Sequence, residues 1–250
     1  MTTKEEISQA HSREIALEHG WKKWSGEIDA AITGDQRAGS IGERIREEIR
    51  RAGGLVSSYP NDVRQPIVTA ELRGRNTLIL SHGLCHMNWF EDASMGAVAD
   101  VLDVNLYGSY NLAAAFVRQT IETHERKKII MIGSMAHRNV LNASAMYCAS
   151  KAGLAMLARC MAWELTPKGF DVYCIHPSNV DEAPMAEDTI KGIMRYRDVD
   201  RATAKQYWGA NYLRDQSLTT ADISDLVLFL LSEKNGYMSG ANIELGGGQR

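Results

Sequence analysis

A tyrosine and a lysine, Tyr147 and Lys151, lie four residues apart in a stretch whose pattern predicts a helix. Residues at this spacing share one face of a helix, about one turn apart. A phenol has an unperturbed pKa of about 10, and a nearby ammonium favours the phenolate, so we expect the pKa of Tyr147 to fall. The pair predicts a general acid/base at Tyr147, although the spacing alone also fits an exposed helical pair.

Three further residues stand where such chemistry needs them. Ser134 follows the predicted strand Ile129–Ile132 and precedes Tyr147 by thirteen residues. Asn105 lies inside a long apolar stretch predicted to be helical, where a polar side chain is costly unless it has a partner. Pro177 follows the next predicted strand, at the same edge of the sheet.

An alternation of strands and helices forms the frame around these residues. Ile41, Ile45 and Ile49 recur at the spacing of a buried helical face. The pattern predicts strands at Ile28–Ile32, Leu55–Tyr59, Thr77–Leu80, Ile129–Ile132, Asp171–Ile175 and Ile243–Leu245, and further helices at Val98–Val117, Ala145–Leu165 and Ile223–Leu231. This alternation is typical of an α/β fold whose parallel sheet is covered on both faces. Ligands then bind beyond the carboxyl ends of the strands.

The segment 33–42 follows the first predicted strand and opens a helix. Such a turn offers a pyrophosphate free backbone N–H groups and the positive end of a helix dipole. Three glycines there also fit ordinary turn chemistry. The residues of this turn predicted to contact a dinucleotide are Gly34, Arg37, Gly39, Ser40, Ile41 and Gly42.

The length of 250 residues suits one large α/β domain. The formal net charge of -3 gives no basic field for nucleic acid or an anionic membrane. The chain has no apolar run long enough for a membrane span, and its polar N-terminus lacks a signal-peptide core. Its four cysteines lack metal-ligand spacing, so we expect reduced thiols, no metal site and a cytoplasmic protein.

In this order and spacing, the pieces resemble the short-chain dehydrogenase/reductase family from about Ile28 to Gly248. The resemblance rests on Tyr147-Cys148-Ala149-Ser150-Lys151, Ser134, Asn105-Leu106-Tyr107-Gly108, Pro177-Ser178-Asn179-Val180 and the stretch Ser239 to Gly248. It implies a Rossmann-type, doubly wound parallel sheet in a single domain. The domain would span residues 27–250, after an N-terminal helical extension at residues 1–26.

The resemblance also implies an NAD(P)-dependent oxidoreductase that interconverts a secondary alcohol and a ketone by hydride transfer. Tyr147 would exchange a proton with the substrate oxygen, and Lys151 would lower the pKa of Tyr147 and hold the nicotinamide ribose. Ser134 would hydrogen-bond the carbonyl oxygen, and Asn105 would keep a water in a proton relay. Further cofactor contacts would come from Gly83, Pro177 and Val180.

The sequence departs from the family's pattern on the side that would hold the dinucleotide. Ser40 stands where a middle glycine is usual, and the turn is longer, with Gly39 as a neighbour. The usual Asn-Asn-Ala-Gly reads Leu80-Ser81-His82-Gly83, which keeps only the glycine. Ser178 replaces another glycine, and Glu182 lies near the usual place of a phosphate-binding threonine, where a carboxylate would repel a pyrophosphate.

The choice of dinucleotide depends on the end of the second predicted strand. NAD-preferring proteins place an acidic residue there, but this chain reads Tyr59-Pro60-Asn61, with Asp62 slightly late. Arg37 and Arg64 are suited to a 2′-phosphate, so we predict NADP and leave NAD open. The stretch from Asn61 to Thr77 is short, with little room for the family's intervening strand and helix.

The substrate loop is predicted at about residues 183–216. Its large apolar residues fit either a substrate pocket or a helical lid that packs on its own body; they are Met185, Met194, Tyr196, Tyr207, Trp208 and Tyr212. The family usually forms a dimer or tetramer through the helices that hold Asn105 and Tyr147. The run from Ala149 to Ala162 fits such a homodimer or homotetramer.

Two other functions remain open at this point. A catalytically silent dinucleotide-binding or scaffold protein would explain the altered glycine turn, but not the complete set of four catalytic residues. A 3-oxoacyl-carrier-protein reductase would use Arg126-Lys127-Lys128 to dock its carrier, although a solvated helix end explains that cluster equally well.

Overall fold

Six parallel strands form one sheet in the order β2-β1-β3-β4-β5-β6. A computed structural model describes residues 29–34, 40–58, 62–65, 72–123, 125–210, 217–232 and 236–248. The strands are β1 (Asp29–Gly34), β2 (Leu55–Ser58), β3 (Thr77–Ser81), β4 (Lys127–Ile132), β5 (Phe170–Pro177) and β6 (Asn242–Leu245). The order reverses at β1, because β2 and β3 flank it on opposite sides. Ligands bind at such a reversal, beyond the carboxyl ends of the strands.

The part of the chain that the structure describes contains seven α-helices. They are α1 (Ile41–Arg51), α2 (Met95–Leu102), α3 (Ser109–Thr120), α4 (Ala145–Leu165), α5 (Pro184–Arg197), α6 (Arg201–Gly209) and α7 (Thr220–Ser232). One core packs residues of α3 and α4 against one face of the sheet, and a second packs residues of α1 and α7 against the other. The single-domain α/β prediction is thus confirmed, as are the six predicted strands.

The start of α1 shows how the sequence fixes a helix at the predicted dinucleotide turn. The Ser40 hydroxyl accepts a hydrogen bond from the backbone N–H of Glu43 at 3.2 Å, which satisfies one of the free N–H groups of the first turn. Ile45 and Ile49 are buried, as their spacing predicts. The helix ends before Gly53, whose φ of +84° suits glycine.

The predicted helix Val98–Val117 is wrong in one respect, since it is not one regular helix. A π-helical turn, Asp103–Gly108, separates α2 from α3. Gly108 packs tightly there, because a Cβ at this position would lie 2.6 Å from Cγ2 of Val63. A π-helical turn inserts one extra residue and re-aims the side chains around it, commonly at functional sites. Here it directs Asn105 inward.

The sequence predicts little room for another strand and helix before Thr77, and the sheet agrees with this prediction. Among the described residues, β2 is one of the two edge strands, and no further strand lies beyond it. Among all the residues that the structure describes, no helix is long and apolar enough to cross a membrane. The predicted extension at residues 1–26 lies outside the described residues.

Candidate active site

Three of the predicted catalytic side chains meet beyond the carboxyl end of β4. Ser134 follows that strand and lies close enough to the phenol of Tyr147, in the first turn of α4, to affect its pKa. The Ser134 hydroxyl accepts a hydrogen bond from the backbone N–H of Ala136 at 3.1 Å. Lys151, one turn further along α4, donates from Nζ to the carbonyl oxygen of Ile132 at 3.1 Å. Its Nζ lies 5.7 Å from the centre of the Tyr147 ring. Tyr147 and Lys151 are both buried.

Asn105 fastens the loop after β3 to this group of residues. Its Oδ1 accepts from the backbone N–H of Leu84 at 2.7 Å, and its Nδ2 donates to the Leu84 carbonyl at 2.9 Å and to the Ser150 hydroxyl at 2.9 Å. A Cβ on Gly83 would lie 3.4 Å from Lys151 Nζ and 3.6 Å from Asn105 Oδ1. The glycine therefore leaves open the space that faces the lysine and the asparagine.

Burial sets the protonation of the tyrosine and the lysine. It raises the pKa of Tyr147 well above its usual value, with a smaller upward effect from Cys85 and a downward one from the Ser134 hydrogen bond. Burial also lowers the pKa of Lys151 to about 8. The pKa of Tyr147 therefore lies above its usual value and not below it, contrary to the expectation from the ammonium, because desolvation of the phenol dominates.

Three thiols surround the tyrosine and the lysine. Burial raises the pKa of Cys85 to about 11 and that of Cys174 to about 12, so both are neutral thiols at ordinary pH. Cys85 also packs with Cys148 in the apolar cluster around Tyr147. All four cysteines of the chain are free, which agrees with the expected reduced thiols.

The predicted dinucleotide turn is described in part. Gly34 ends β1, while Ser40, Ile41 and Gly42 cap and begin α1. Arg37 and Gly39 lie outside the described residues. The described residues therefore end a strand and open a helix, the arrangement in which backbone N–H groups bind a pyrophosphate.

His82 stands where the family carries an alanine, and it links β1 to α3. Its Nε2 lies 3.0 Å from the Ser109 hydroxyl, which itself donates to the Asn105 carbonyl at 2.8 Å. Its Nδ1 lies 2.7 Å from the Thr33 hydroxyl. Burial, with a smaller effect of Lys151, lowers the pKa of His82 to about 3, so the ring is neutral. The substitution adds a hydrogen-bonded link at this position.

The segment after β5 places the remaining predicted contacts. Pro177 ends that strand opposite Leu245 of β6, and Val180 is buried beside Leu218. Glu182 accepts hydrogen bonds from the backbone N–H of Thr220 at 2.6 Å and from its hydroxyl at 2.5 Å. The carboxylate is thus bound at the N-terminus of α7, where the helix dipole stabilises it.

An arginine that no sequence motif singles out lies at the end of β2, where the adenosine part of a dinucleotide is expected. Arg46, in the second turn of α1, donates from Nη1 to the hydroxyl of Ser58, the last residue of β2. Arg64, the arginine predicted for this end, instead pairs with Asp62 at 2.6 Å and with Asp100 at 3.0 Å. Proximity of α1 to the end of β2 depends on the crossover between them, so no spacing in the sequence reveals it.

Two buried hydroxyls indicate that a polar ligand fits this edge of the sheet. Among the described residues, Oγ of Ser57 and Oγ of Ser81 are buried without a hydrogen-bond partner. They belong to the ends of β2 and β3, which flank β1. A buried polar group without a partner is costly. Together with the open space at Gly83, these hydroxyls fit a dinucleotide laid across the carboxyl ends of the strands.

The large side chains predicted for the substrate loop mostly hold that loop in place. Met194, Tyr196 and Trp208 pack with Met87, and the Trp208 indole donates to Asp181 at 2.6 Å. The lid alternative therefore accounts for these residues. Met185 is different, because its Cε would lie 3.8 Å from a Cβ on Gly83, near Lys151. Tyr212 lies outside the described residues.

The basic cluster proposed for carrier docking makes local contacts instead. Arg126 pairs with Asp171, and Lys127 is buried with its Nζ bonded to the Glu125 carbonyl at 2.8 Å. Lys128 donates to the carbonyl oxygens of Leu230 and Leu231 at 2.7 and 3.0 Å. The cluster begins β4 and is not a solvated helix end.

Comparisons with known proteins agree on the kind of protein. A family model described as enoyl-(acyl carrier protein) reductase matches residues 61–250. The 2-(S)-hydroxypropyl-CoM dehydrogenase 3 of Xanthobacter autotrophicus is 26% identical over 216 residues, which cover 83% of this chain and 82% of that protein.

Two solved structures share the fold. Sorbitol-6-phosphate 2-dehydrogenase from Erwinia amylovora matches with a TM-score of 0.80 at 20% identity, over 88% of this chain and 99% of that one. Carveol dehydrogenase from Mycobacterium avium, in complex with NAD, matches with a TM-score of 0.77 at 17% identity, over 90% and 98% of the two chains.

Proposed function

The chain belongs to the short-chain dehydrogenase/reductase family, whose members act on CH–OH and C=O groups, and on that premise we propose that it interconverts a secondary alcohol and a ketone. A nicotinamide dinucleotide supplies or accepts the hydride when bound. The observation that carries the proposal is the contact of Ser134 with Tyr147 beside Lys151, beyond the end of β4.

The protein's own residues would move and stabilise the proton. In reduction, the Tyr147 phenol donates its proton to the carbonyl oxygen while Ser134 donates a hydrogen bond to the same oxygen. The Lys151 ammonium stabilises the phenolate that remains. Because burial keeps Tyr147 protonated at neutral pH, the acid required for reduction is present without prior ionisation.

The contacts of Asn105 support a structural role for this residue in the same site. Its Nδ2 donates to the Leu84 carbonyl and the Ser150 hydroxyl, its Oδ1 accepts from the Leu84 N–H, and its backbone carbonyl oxygen accepts from Ser109. The relay water expected from the family would have to share that carbonyl oxygen, which has two lone pairs. Asn105 then holds the loop that carries Gly83 against Lys151.

The experiment that tests this function is turnover of a ketone panel with NADPH and NADH. The cluster around Tyr147 includes Val101, Leu141 and Met146, so the panel is weighted towards apolar ketones and includes sugars as a contrast. We expect nicotinamide oxidation that depends on one class of ketone. Saturable dinucleotide binding without turnover of any ketone would favour the catalytically silent alternative.

The position of Arg46 supports NADP over NAD. A guanidinium at the end of the second strand pairs with a 2′-phosphate, whereas a carboxylate there binds ribose hydroxyls. The nearest carboxylate in sequence, Asp62, is held by Arg64. We therefore assign to Arg46 the role predicted for Arg64, while Arg37 lies outside the described residues and stays a prediction.

Arg46→Ala should weaken NADPH binding by roughly 10- to 100-fold and leave NADH binding unchanged, because it removes one charge-assisted contact to the 2′-phosphate. Titration of tryptophan fluorescence with each dinucleotide measures both Kd values. Arg64→Ala serves as the matched control and should change neither. Equal weakening of NADPH and NADH would contradict the assignment.

An exposed apolar stripe on α4 supports a homodimer or homotetramer. Met156 and Trp163 are seven residues apart on one helix face and are 55% and 87% exposed. Tyr107 and Tyr110, around the start of α3, are also exposed. Exposed patches of this kind commonly mark protein interfaces.

Trp163→Glu should therefore dissociate the assembly, since it puts a charge into an apolar interface. Light scattering after size exclusion is expected to give two or four chains for the wild type and one for the variant. Leu55→Glu, at the exposed start of β2 on the far edge of the sheet, should leave the assembly intact. A single-chain mass for the wild type would refute the oligomer.

A further inference from the structure

The rings of His176 and His137 both contact the backbone of Ser134. Nδ1 of His176 lies 3.3 Å from the Ser134 backbone nitrogen. The Ser134 carbonyl oxygen accepts from the His137 backbone N–H at 2.9 Å, and it lies 3.0 Å from His137 Nδ1 and 3.1 Å from His176 Nδ1. Both rings therefore contact the peptide groups that flank the Ser134 side chain.

The two rings form one packed unit. They stack with centroids 3.8 Å apart at an interplanar angle of 27°. His176, in β5, has no exposed surface. Gly133 makes room for it, because a Cβ there would lie 2.5 Å from His176 Nδ1 and 2.7 Å from its Cε1. A shift of the His176 ring would therefore move the backbone immediately before Ser134.

Asn242 of β6 fixes which nitrogen of His176 carries the proton. Its Oδ1 lies 2.7 Å from His176 Nε2, while its Nδ2 is directed to the Ala155 carbonyl at 3.5 Å. The amide oxygen thus accepts from Nε2–H, which leaves Nδ1 to accept from the Ser134 N–H. His176 is then a neutral donor on one side and an acceptor on the other.

The charges around His176 favour that neutral state. Burial lowers the pKa of His176, repulsion from His137 and Lys151 acts in the same direction, and together they outweigh the hydrogen bonds to Asn242 and Ser134, which raise it. The outer ring, His137, lies 3.4 Å from Glu244, which also binds Arg138.

We propose that His176 is a positioning residue, which accepts the Ser134 N–H and so holds the Ser134 hydroxyl on the phenol of Tyr147. This role rests on the proposed function, because His176 affects turnover only through Ser134. Ser134 lowers the pKa of Tyr147. Loss of the His176 contact is therefore expected to slow the reaction and to raise the pKa at which Tyr147 ionises.

Two substitutions separate this role from a purely structural one. In His176→Asn, the amide oxygen can replace Nδ1 as the acceptor, whereas His176→Phe keeps an aromatic ring without any acceptor. Tyr173→Phe, in the same strand with a buried ring on the opposite face, is the matched control. Dinucleotide Kd, kcat, KM and the pH profile of alcohol oxidation are measured for each variant.

His176→Phe should lower kcat by roughly 10- to 100-fold, leave the dinucleotide Kd unchanged, and move the rise of the oxidation profile to higher pH. The other groups around Tyr147, which are Cys85, Cys148 and Lys151, stay the same in all variants. His176→Asn should stay within about threefold of the wild type, because it can restore the acceptor. An unshifted profile in His176→Phe, or equal losses in both variants, would overturn the proposal.

Nuclear magnetic resonance of the imidazole nitrogens tests the same contact without any substrate. We expect His176 to show a protonated Nε2 and an unprotonated, hydrogen-bonded Nδ1 at neutral pH. A protonated Nδ1 would overturn the positioning role. A wild-type protein that has the expected tautomer but turns over no ketone would instead overturn the proposed function, so the two failures are distinguishable.

Discussion

Tyr147→Phe is expected to lower kcat for ketone reduction by about 10²–10⁴-fold, the usual contribution of general acid catalysis. The substitution removes only the phenolic oxygen, and the ring keeps its packing against Val101 and Ala136. The Kd of the dinucleotide should therefore stay within about twofold of the wild type, since the lost interaction belongs to the transition state. Steady-state kinetics and fluorescence titration measure the two quantities separately.

Tyr237→Phe is the matched control, because this tyrosine is exposed and far along the chain from α4. It should retain full activity. If Tyr147→Phe keeps more than about a tenth of the wild-type kcat, another group supplies the proton, and the assignment of Tyr147 fails.

Lys151→Met should abolish turnover yet make the protein more stable at pH 7. Burial lowers the pKa of Lys151 from 10.5 to about 8, so the folded state binds its proton less tightly than the unfolded state does. Below pH 8 the buried charge costs on the order of 3 kcal/mol. Methionine removes that cost but also the hydrogen bond to Ile132, which leaves a net gain of about 2 kcal/mol.

The difference in stability between Lys151→Met and the wild type should depend on pH. In the wild type, the cost of the buried charge is fully present below about pH 8 and is relieved as the pH rises towards 10.5. The difference in Tm between Lys151→Met and the wild type, roughly 5 °C at pH 7, should therefore shrink at higher pH. Thermal unfolding at several pH values measures it.

Lys127→Met provides a control for this prediction, because Lys127 is also buried and burial also lowers its pKa. It lies at the opposite end of β4 from Ser134, so it should affect stability without affecting turnover. A lower Tm for Lys151→Met than for the wild type at pH 7 would show that the ammonium stabilises the fold, contrary to our account.

Much of the fold could be predicted from the sequence because its elements are long and periodic. Helix α4 has the predicted bounds, Ala145 to Leu165, and the six strands lie within a few residues of their predictions. The π-helical turn at Asn105 was missed, because it depends on contacts with Leu84 and Val63 rather than on local periodicity. A pattern of apolar residues does not distinguish such a turn from a continuous helix.

The sequence predicts which side chains meet beyond β4, but not how burial shifts their pKa values. The spacing of Tyr147 and Lys151 places them on one helix face, but it gives no measure of their burial, which reverses the expected direction of the Tyr147 pKa. Similarly, Arg46 and His176 act through residues distant in sequence, Ser58 and Ser134. Only the arrangement of the sheet brings these pairs together.

The departures from the family's pattern are less disruptive in three dimensions than in the sequence. His82, which stands where an alanine is usual, links β1 to α3. Glu182, expected to repel a pyrophosphate, is bound to the N-terminus of α7 through Thr220. Both residues serve the frame of the site, which supports an active enzyme over a silent one.

The most direct test of the central claim is transfer of deuterium from NADPH labelled at the nicotinamide C4 position to a ketone. We predict that the wild-type protein forms an alcohol with deuterium on the carbinol carbon, and that Tyr147→Phe forms almost none while still binding NADPH. If the wild type binds NADPH but yields no labelled alcohol from any ketone of the panel, the chain is not the oxidoreductase described above.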